Sequence, residues 1–158
     1  MKTVSLGYRH SIVLTEQNEL YMFGWNEYGQ LGFSDTTQRN VPTKLTFFDN
    51  VPIRQVIACG YHSIVLAATG ELYAFGRNDC GQLGINSRKD KTRPKKVVEI
   101  RHAEQIACGY YHTFVFEPSH YIQAGTPSST TGGKKWLDAI FLPRGVSAAS
   151  DVTNEKRK

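Results

Sequence analysis

Short apolar runs recur along the chain in pairs, each pair split by a polar turn. His10-Ser11-Ile12-Val13-Leu14 is followed, after residues 15–19, by Leu20-Tyr21-Met22-Phe23. His62-Ser63-Ile64-Val65-Leu66 is followed in the same way by Leu72-Tyr73-Ala74-Phe75. Runs this short, rich in β-branched and aromatic residues and bounded by Gly and Asn, predict strands, and each pair predicts a β-hairpin. Asn18 in the first turn is matched by Gly70 in the second, and these two residue types most easily accept a positive φ. Gly24 and Gly76 end the second strands. Beyond them, Asn26-Glu27-Tyr28-Gly29-Gln30-Leu31-Gly32 and Asn78-Asp79-Cys80-Gly81-Gln82-Leu83-Gly84 each carry two glycines three apart. That spacing suits a compact turn with its Leu tucked beneath and its Asn bonding nearby backbone. Pro42 and Pro94 stand at matched positions and mark the start of an outer, edge strand, where a missing backbone donor does no harm. Residues 53–59 and 103–108 lead back to the next glycine. Each period thus holds about four short strands and no helical stretch, which makes the chain all-β.

Residues 10–32 and 62–84 superpose without a gap at an offset of 52, and a third copy starts at His112 and loses the pattern after Pro118. Periods of this length mark propeller blades or helical arrays, and the strand content selects blades of four-stranded antiparallel sheet. The repeats fall near 7–59, 60–108 and 109–125, giving a partial β-propeller domain over 1–125. Val4-Ser5-Leu6-Gly7 matches Ile57-Ala58-Cys59-Gly60 and Ile106-Ala107-Cys108-Gly109, so the chain opens inside a repeat, its preceding strand missing or replaced by residues 1–3. Residues 126–133, TPSSTTGG, read as a flexible linker. Within the remaining tail, to residue 158, residues 135–142 suit two turns of helix or one strand.

Composition changes this picture little. The chain has 158 residues, 40% of them hydrophobic, enough for a packed core, and its net charge of +5 is concentrated in residues 88–101 and the C-terminal third. No run is apolar enough to span a bilayer and the first residues lack the apolar region of a signal peptide, so the expected compartment is cytoplasm or nucleus. Cys59 and Cys108 occupy the same place in successive repeats, and with no ligand pair at short spacing they read as small buried thiols rather than metal ligands or a disulfide. The glycine-rich loops precede no helix and no Lys-Ser/Thr step, which argues against a phosphate cradle and leaves no cofactor implied. His10, His62 and His112 recur once per period, as a structural hydrogen bond between neighbouring strands requires. Gly7, Gly24, Gly29, Gly32, Gly60, Gly76, Gly81, Gly84 and Gly109 are repeat positions of the same structural kind. Ser11 and Ser63 adjoin their histidines within strands, where successive side chains point to opposite faces, and no nucleophile elbow is present. No residue reads as catalytic, and the expectation is a protein that is not an enzyme.

One cluster belongs to this chain and not to its repeat. Arg88, Lys89, Lys91, Arg93, Lys95, Lys96 and Arg101 form a dense basic run, whereas the matching stretch of the first repeat holds only Arg39 and Lys44. Two readings are open: a solvated outer loop with an edge strand guarded by lysines, or a surface for an acidic partner such as nucleic acid or chromatin.

Gly-x-x-His-Ser, Gly-Glu-Leu-Tyr-x-Phe-Gly and Asn-x-x-Gly-Gln-Leu-Gly, in that order and near a 50-residue spacing, resemble the repeat of the regulator of chromosome condensation family over about residues 4–116. The resemblance implies blades of a seven-bladed propeller and a protein partner. The family includes the guanine-nucleotide exchange factor for the small GTPase Ran, together with adaptors and ubiquitin-ligase modules. In that exchange factor loops on one face expel the nucleotide, helped by an inserted hairpin that this sequence lacks, so no exchange residue carries over. Two full periods with a stub at each end do not close a ring of about 4–8 blades. Further blades, self-association or a truncated product without its own activity are the consequences to weigh.

Overall fold

The computed structural model describes residues 2–117, together with the strand pairing of residues 120–125 and 142–143. Three four-stranded antiparallel sheets follow one another along the chain. The first blade is β1 (Thr3–Leu6), β2 (His10–Leu14), β3 (Leu20–Gly24) and β4 (Arg39–Lys44). The second is β5 (Ile53–Ala58), β6 (His62–Ala67), β7 (Leu72–Gly76) and β8 (Lys91–Lys96). The third is β9 (Gln105–Cys108), β10 (His112–Glu117), β11 (His120–Gly125) and β12 (Leu142–Pro143). A 3-10 turn at Thr46–Phe48 is the single helical piece among the described residues.

The period of the sequence and the unit of the fold are out of phase. The repeat runs from glycine to glycine, but each sheet begins with the strand before that glycine. Residues 3–6 therefore complete the first blade as β1, pairing Val4 with Val13 and Leu6 with Ser11, and that sheet lacks no strand. β12 comes from the stretch read as tail. Residues 126–141 and 144–158, which hold the expected linker and most of the expected helix or strand, lie outside the described residues. The edge strands also begin earlier than their prolines suggest: Pro42 and Pro94 sit within β4 and β8, opposite register shifts at Met22/Gly24 and Ala74/Gly76. The bulge absorbs the missing donor inside the strand.

The blades pack face to face. Ile12, Leu14, Leu20 and Met22, alternating along β2 and β3, are wholly buried against Ile53, Val56, Ala58, Val65 and Phe75 of the second blade. The other face of that blade, Ile64, Leu66, Leu72 and Ala74, packs on Ile106 and Val115 of the third. β6 is consequently buried at every residue, having a neighbour on both sides, whereas β2 alternates. Each fully buried Leu or Ile contributes about 1.5–3 kcal/mol relative to exposure. The side of the first blade away from its neighbour carries exposed Val4 and Leu6, and the far side of the third carries Phe114.

The hairpin turns pin one blade to the next. Asn18 has φ 65° and Gly70 φ 87°. Asn18 Nδ2 donates to the Val51 carbonyl at 2.9 Å and its Oδ1 accepts from Ile53 N–H at 2.8 Å, so the turn of one blade fixes the entry to the following one. First strands of neighbouring blades converge, β1 on β5 and β5 on β9. Cys59 and Cys108, at the ends of such neighbours, are therefore adjacent and joined as a disulfide, with Cα atoms 5.9 Å apart. This corrects the expectation of two separate buried thiols: equivalent places in adjacent repeats are neighbours in space. Cys80 remains a half-buried thiol.

Candidate functional site

The three repeated histidines stand at the seams. His10 Nε2 lies 2.9 Å from Ser63 Oγ, which donates to the Gln30 carbonyl at 2.7 Å. His62 Nε2 lies 2.9 Å from Thr113 Oγ1, which donates to the Gln82 carbonyl at 2.8 Å. Because each hydroxyl spends its proton on a carbonyl, it accepts from the imidazole, and the Nε2–H tautomer is set in both rings. Burial pushes the His10 pKa down to about 4, and burial with the neighbouring histidines pushes His62 to about 3, so both are neutral at physiological pH. His112 is half-buried, its ring 5.3 Å from Phe114 and packed over Gly109 as His10 is over Gly7. Ser63 and His10 form a Ser-His pair, but both are sealed in the seam, 0% and 2% exposed, where no substrate reaches.

The Asn-x-x-Gly-Gln-Leu-Gly loops are built from within. Asn26 Oδ1 accepts from Leu31 N–H, and its Nδ2 donates to the Asp35 and Thr37 carbonyls. Asn78 does the same with Leu83, Ser87 and Lys89. Gly29, Gly32, Gly81 and Gly84 all take positive φ in these turns. Gly29 lies against Thr92 of the second blade, whereas Gly81 has open space around it.

In the first two sheets these loops emerge at the same end as the turns between first and second strands, and there, with the matching turn of the third sheet, they gather the feature that sequence reasoning missed. Tyr8 and Arg9 follow Gly7, Tyr61 follows Gly60, and Tyr110 and Tyr111 follow Gly109. Trp25 and Tyr28 come after β3, and Arg77 after β7. Tyr61 is the hub, with ring centroids 5.4 Å from Tyr8, 5.3 Å from Trp25, 5.4 Å from Tyr28 and 5.2 Å from Tyr110. Arg9 sits over Tyr8 and Trp25 at 5.3 and 5.6 Å, and Arg77 over Tyr28, Tyr61 and Tyr111 at 5.1 to 5.6 Å. Edge-to-face ring pairs and cation–π contacts of this kind each contribute about 0.5–1.5 kcal/mol.

Backbone geometry makes the face possible. Gly24 and Gly76, with φ of 107° and 105°, let the chain double back so that Trp25 N–H donates to the Arg9 carbonyl at 2.8 Å and Arg77 N–H to that of Tyr61 at 3.0 Å. Tyr8 N–H donates to the Cys59 carbonyl at 3.2 Å, carrying the face across the seam. Burial works against the charge on Arg77, but the ion pair with Asp79 at 2.6 Å outweighs it and holds the guanidinium protonated. A hydrogen bond with Tyr61, then burial, pushes the Tyr110 phenol up to about 12. Tyr8 is 55% and Tyr110 38% exposed, so the rings are open to a partner. The signal in the sequence is one aromatic residue after the strand-ending glycine in each period, at Tyr8, Tyr61 and Tyr110.

The basic run lies elsewhere. Lys91, Arg93, Lys95 and Lys96 belong to β8, the outer edge of the second blade, with Arg88 and Lys89 exposed in the loop before it and Arg101 exposed after it. Lys96 is paired with Glu71 at 2.5 Å and Arg93 stands 5.7 Å over Phe47, while Lys95 is exposed. Among the described residues one group of side chains has metal-ligand chemistry within reach: Cys59, His62 and Cys108, whose donor atoms lie within 4.8 Å of one another.

Comparison with known proteins bears on the fold. A model of the Regulator of chromosome condensation (RCC1) repeat matches residues 17–66 and 69–116, and a second model of that repeat matches residues 1–30 and 54–82. The probable E3 ubiquitin-protein ligase HERC4 of Homo sapiens is 35% identical over 139 residues, 80% of this chain and 13% of its own. The ultraviolet-B receptor UVR8 of Arabidopsis thaliana is 35% identical over 115 residues, 72% of this chain and 26% of its own. The crystal structure of Prp20p from Saccharomyces cerevisiae superposes with a TM-score of 0.70 and 28% identity, covering 78% of this chain and 33% of that one. The chain thus spans a third or less of the length of each of these three proteins.

Proposed function

The chain belongs to the regulator of chromosome condensation repeat family, its three sheets are blades of a partial propeller, and from that premise we propose that it is a protein-binding module whose partner docks on the Tyr8–Tyr61–Tyr110 face. One observation carries this reading: six aromatic rings and two arginines from three blades form a single connected surface. Tyr, Trp and Arg are the side chains that dominate binding energy at protein interfaces, since they offer large contact area with few rotors and a polar end. The partner class we assign first is a small GTPase. Support comes from the yeast relative, which is described with binding properties to Gsp1p and histones. No residue of this chain is assigned a chemical step, and any exchange activity would act through binding alone. The compartment we propose is cytoplasm or nucleus.

A second reading keeps the basic edge as a surface for nucleic acid, favoured by the exposure of Arg88, Lys89, Arg93 and Lys95. Low-salt titration with duplex DNA tests the second reading, and calorimetric titration with Ran the first. Arg9→Glu is expected to weaken binding at least tenfold, while the Lys95→Glu, Lys96→Glu double variant leaves it unchanged. The reverse outcome transfers the site to β8.

A further inference from the structure

The two described seams share one histidine relay but differ in sulfur. In the first, the places equivalent to Cys59 and Cys108 are held by Leu6 and Cys59, so His10 has one cysteine within its seam. In the second, His62 has two. We propose that Cys59, Cys108 and His62, once the disulfide is reduced, form a buried site for a thiolate-seeking d10 metal ion, Zn2+ or Cu(I), that ties the second blade to the third.

Geometry comes first. The three donor atoms lie within 4.8 Å of one another. With metal–sulfur bonds of about 2.3 Å and metal–nitrogen bonds of about 2.0–2.1 Å, ligand atoms sharing an ion stand roughly 3.5–4 Å apart. The two sulfurs must separate and the imidazole must close on them by up to roughly 1 Å; Cα atoms 5.9 Å apart leave room for the first by rotation about χ1. The donors come from two blades, Cys59 and His62 flanking the turn between β5 and β6, and Cys108 ending β9.

The state of His62 points the same way. Thr113 Oγ1 donates to the Gln82 carbonyl and so accepts the proton on Nε2, which leaves Nδ1 a bare lone pair. That atom is fully buried and has no hydrogen-bond partner; Nδ1 of His10 shares this state, and what His62 alone adds is a pair of cysteines beside it. A buried acceptor left unmade is costly, and a metal-ligating imidazole characteristically has its other nitrogen held by an outer partner as Thr113 holds this one. Two soft thiolates and a borderline imidazole suit Zn2+ or Cu(I) rather than Mg2+ or Ca2+. Three protein donors match trigonal Cu(I), or Zn2+ with a fourth position left for water. Cys108 is the half-buried member of the three. Reduction of the disulfide rests on the compartment proposed above, cytoplasm or nucleus, where glutathione keeps thiols reduced.

The test uses the full chain. A water-soluble phosphine reduces the disulfide, becoming phosphine oxide with oxygen from water while the two sulfurs take up two electrons and two protons, and it is then removed without air. Co2+ alone is titrated as the spectroscopic stand-in for Zn2+, and Cu(I) is supplied in a second arm from a coloured chelator. One equivalent bound in either arm, seen as thiolate-to-cobalt charge-transfer absorption displaced by Zn2+ or as loss of chelator colour, is the expected result and identifies the ion. Uptake should vanish in the unreduced protein and in Cys59→Ser and Cys108→Ser, and persist in Cys80→Ser. No uptake in either arm, or equal uptake by the unreduced protein or by Cys108→Ser, overturns the proposal.

Discussion

His10 Nε2 approaches Ser63 Oγ to 2.9 Å across the boundary between two blades, 53 residues apart in the chain. The contact recurs at the next boundary between His62 and Thr113. It joins three groups that would otherwise be buried without partners, the imidazole N–H, the hydroxyl and a loop carbonyl. Removing the hydroxyl leaves two of them unpaired, each costing about 1–3 kcal/mol. Ser63→Ala and Thr113→Val are therefore expected to lower stability by about 2–4 kcal/mol in urea unfolding. Thr113→Ser, which keeps the oxygen, should lose less than Thr113→Val. Equal loss in those two variants would show that the relay contributes nothing.

The same relay gives the fold a defined response to acid. The pKa of His10 is about 4 in the folded chain, below the ordinary value of 6.5, because the ring is buried. Between those values the unfolded chain binds the proton and the folded chain does not. Stability is thus unaffected above pH 6.5 and falls as pH drops from 6.5 toward 4, by about 3 kcal/mol for this ring alone. Deeper burial of His62 acts in the same direction. Unfolding midpoints measured from pH 7 to pH 4.5 should fall steadily, and His10→Gln, though less stable throughout, should show a shallower slope over pH 6.5 to 5. A parallel slope in that variant would assign the acid response to other groups.

Gly76 holds Arg77 over its three rings. A Cβ there would sit 2.6 Å from the Tyr61 carbonyl oxygen, at a φ of 105°. Gly81 has φ 75° but nothing within 4 Å of the position a Cβ would take. Both substitutions by Ala incur the cost of a left-handed backbone, about 1–2 kcal/mol, and only Gly76→Ala adds a backbone collision. Thermal melts should therefore rank Gly76→Ala well below Gly81→Ala. Similar melting temperatures would mean that the doubled-back chain relaxes without cost.

Much of this architecture was legible from hydrophobic spacing, and the reasons are visible at particular residues. The short β-branched run of β2 and the Asn18/Gly70 exchange marked strands and turns, because strand preference and positive φ are local properties. The phase of the blades was not legible. Thr3–Leu6 looks like the end of a repeat in sequence, yet hydrogen-bonds as the first strand of a sheet. The disulfide and the aromatic face were hidden for a related reason. Cys59 and Cys108, or Tyr8, Tyr61 and Tyr110, look like one position repeated, and only the convergence of first strands turns repetition along the chain into a cluster in space. The basic run stood out because it breaks the repeat, whereas the face is what the repeat builds.

Hydrogen–deuterium exchange of the full chain, with and without Ran, tests the proposed face most directly. Protection is expected at residues 7–9, 25–28, 61, 77 and 110–111, spanning three blades at one end of their sheets, with residues 88–101 unchanged. Protection confined to 88–101, or no change at 7–9 and 25–28 under saturating partner, would contradict the account.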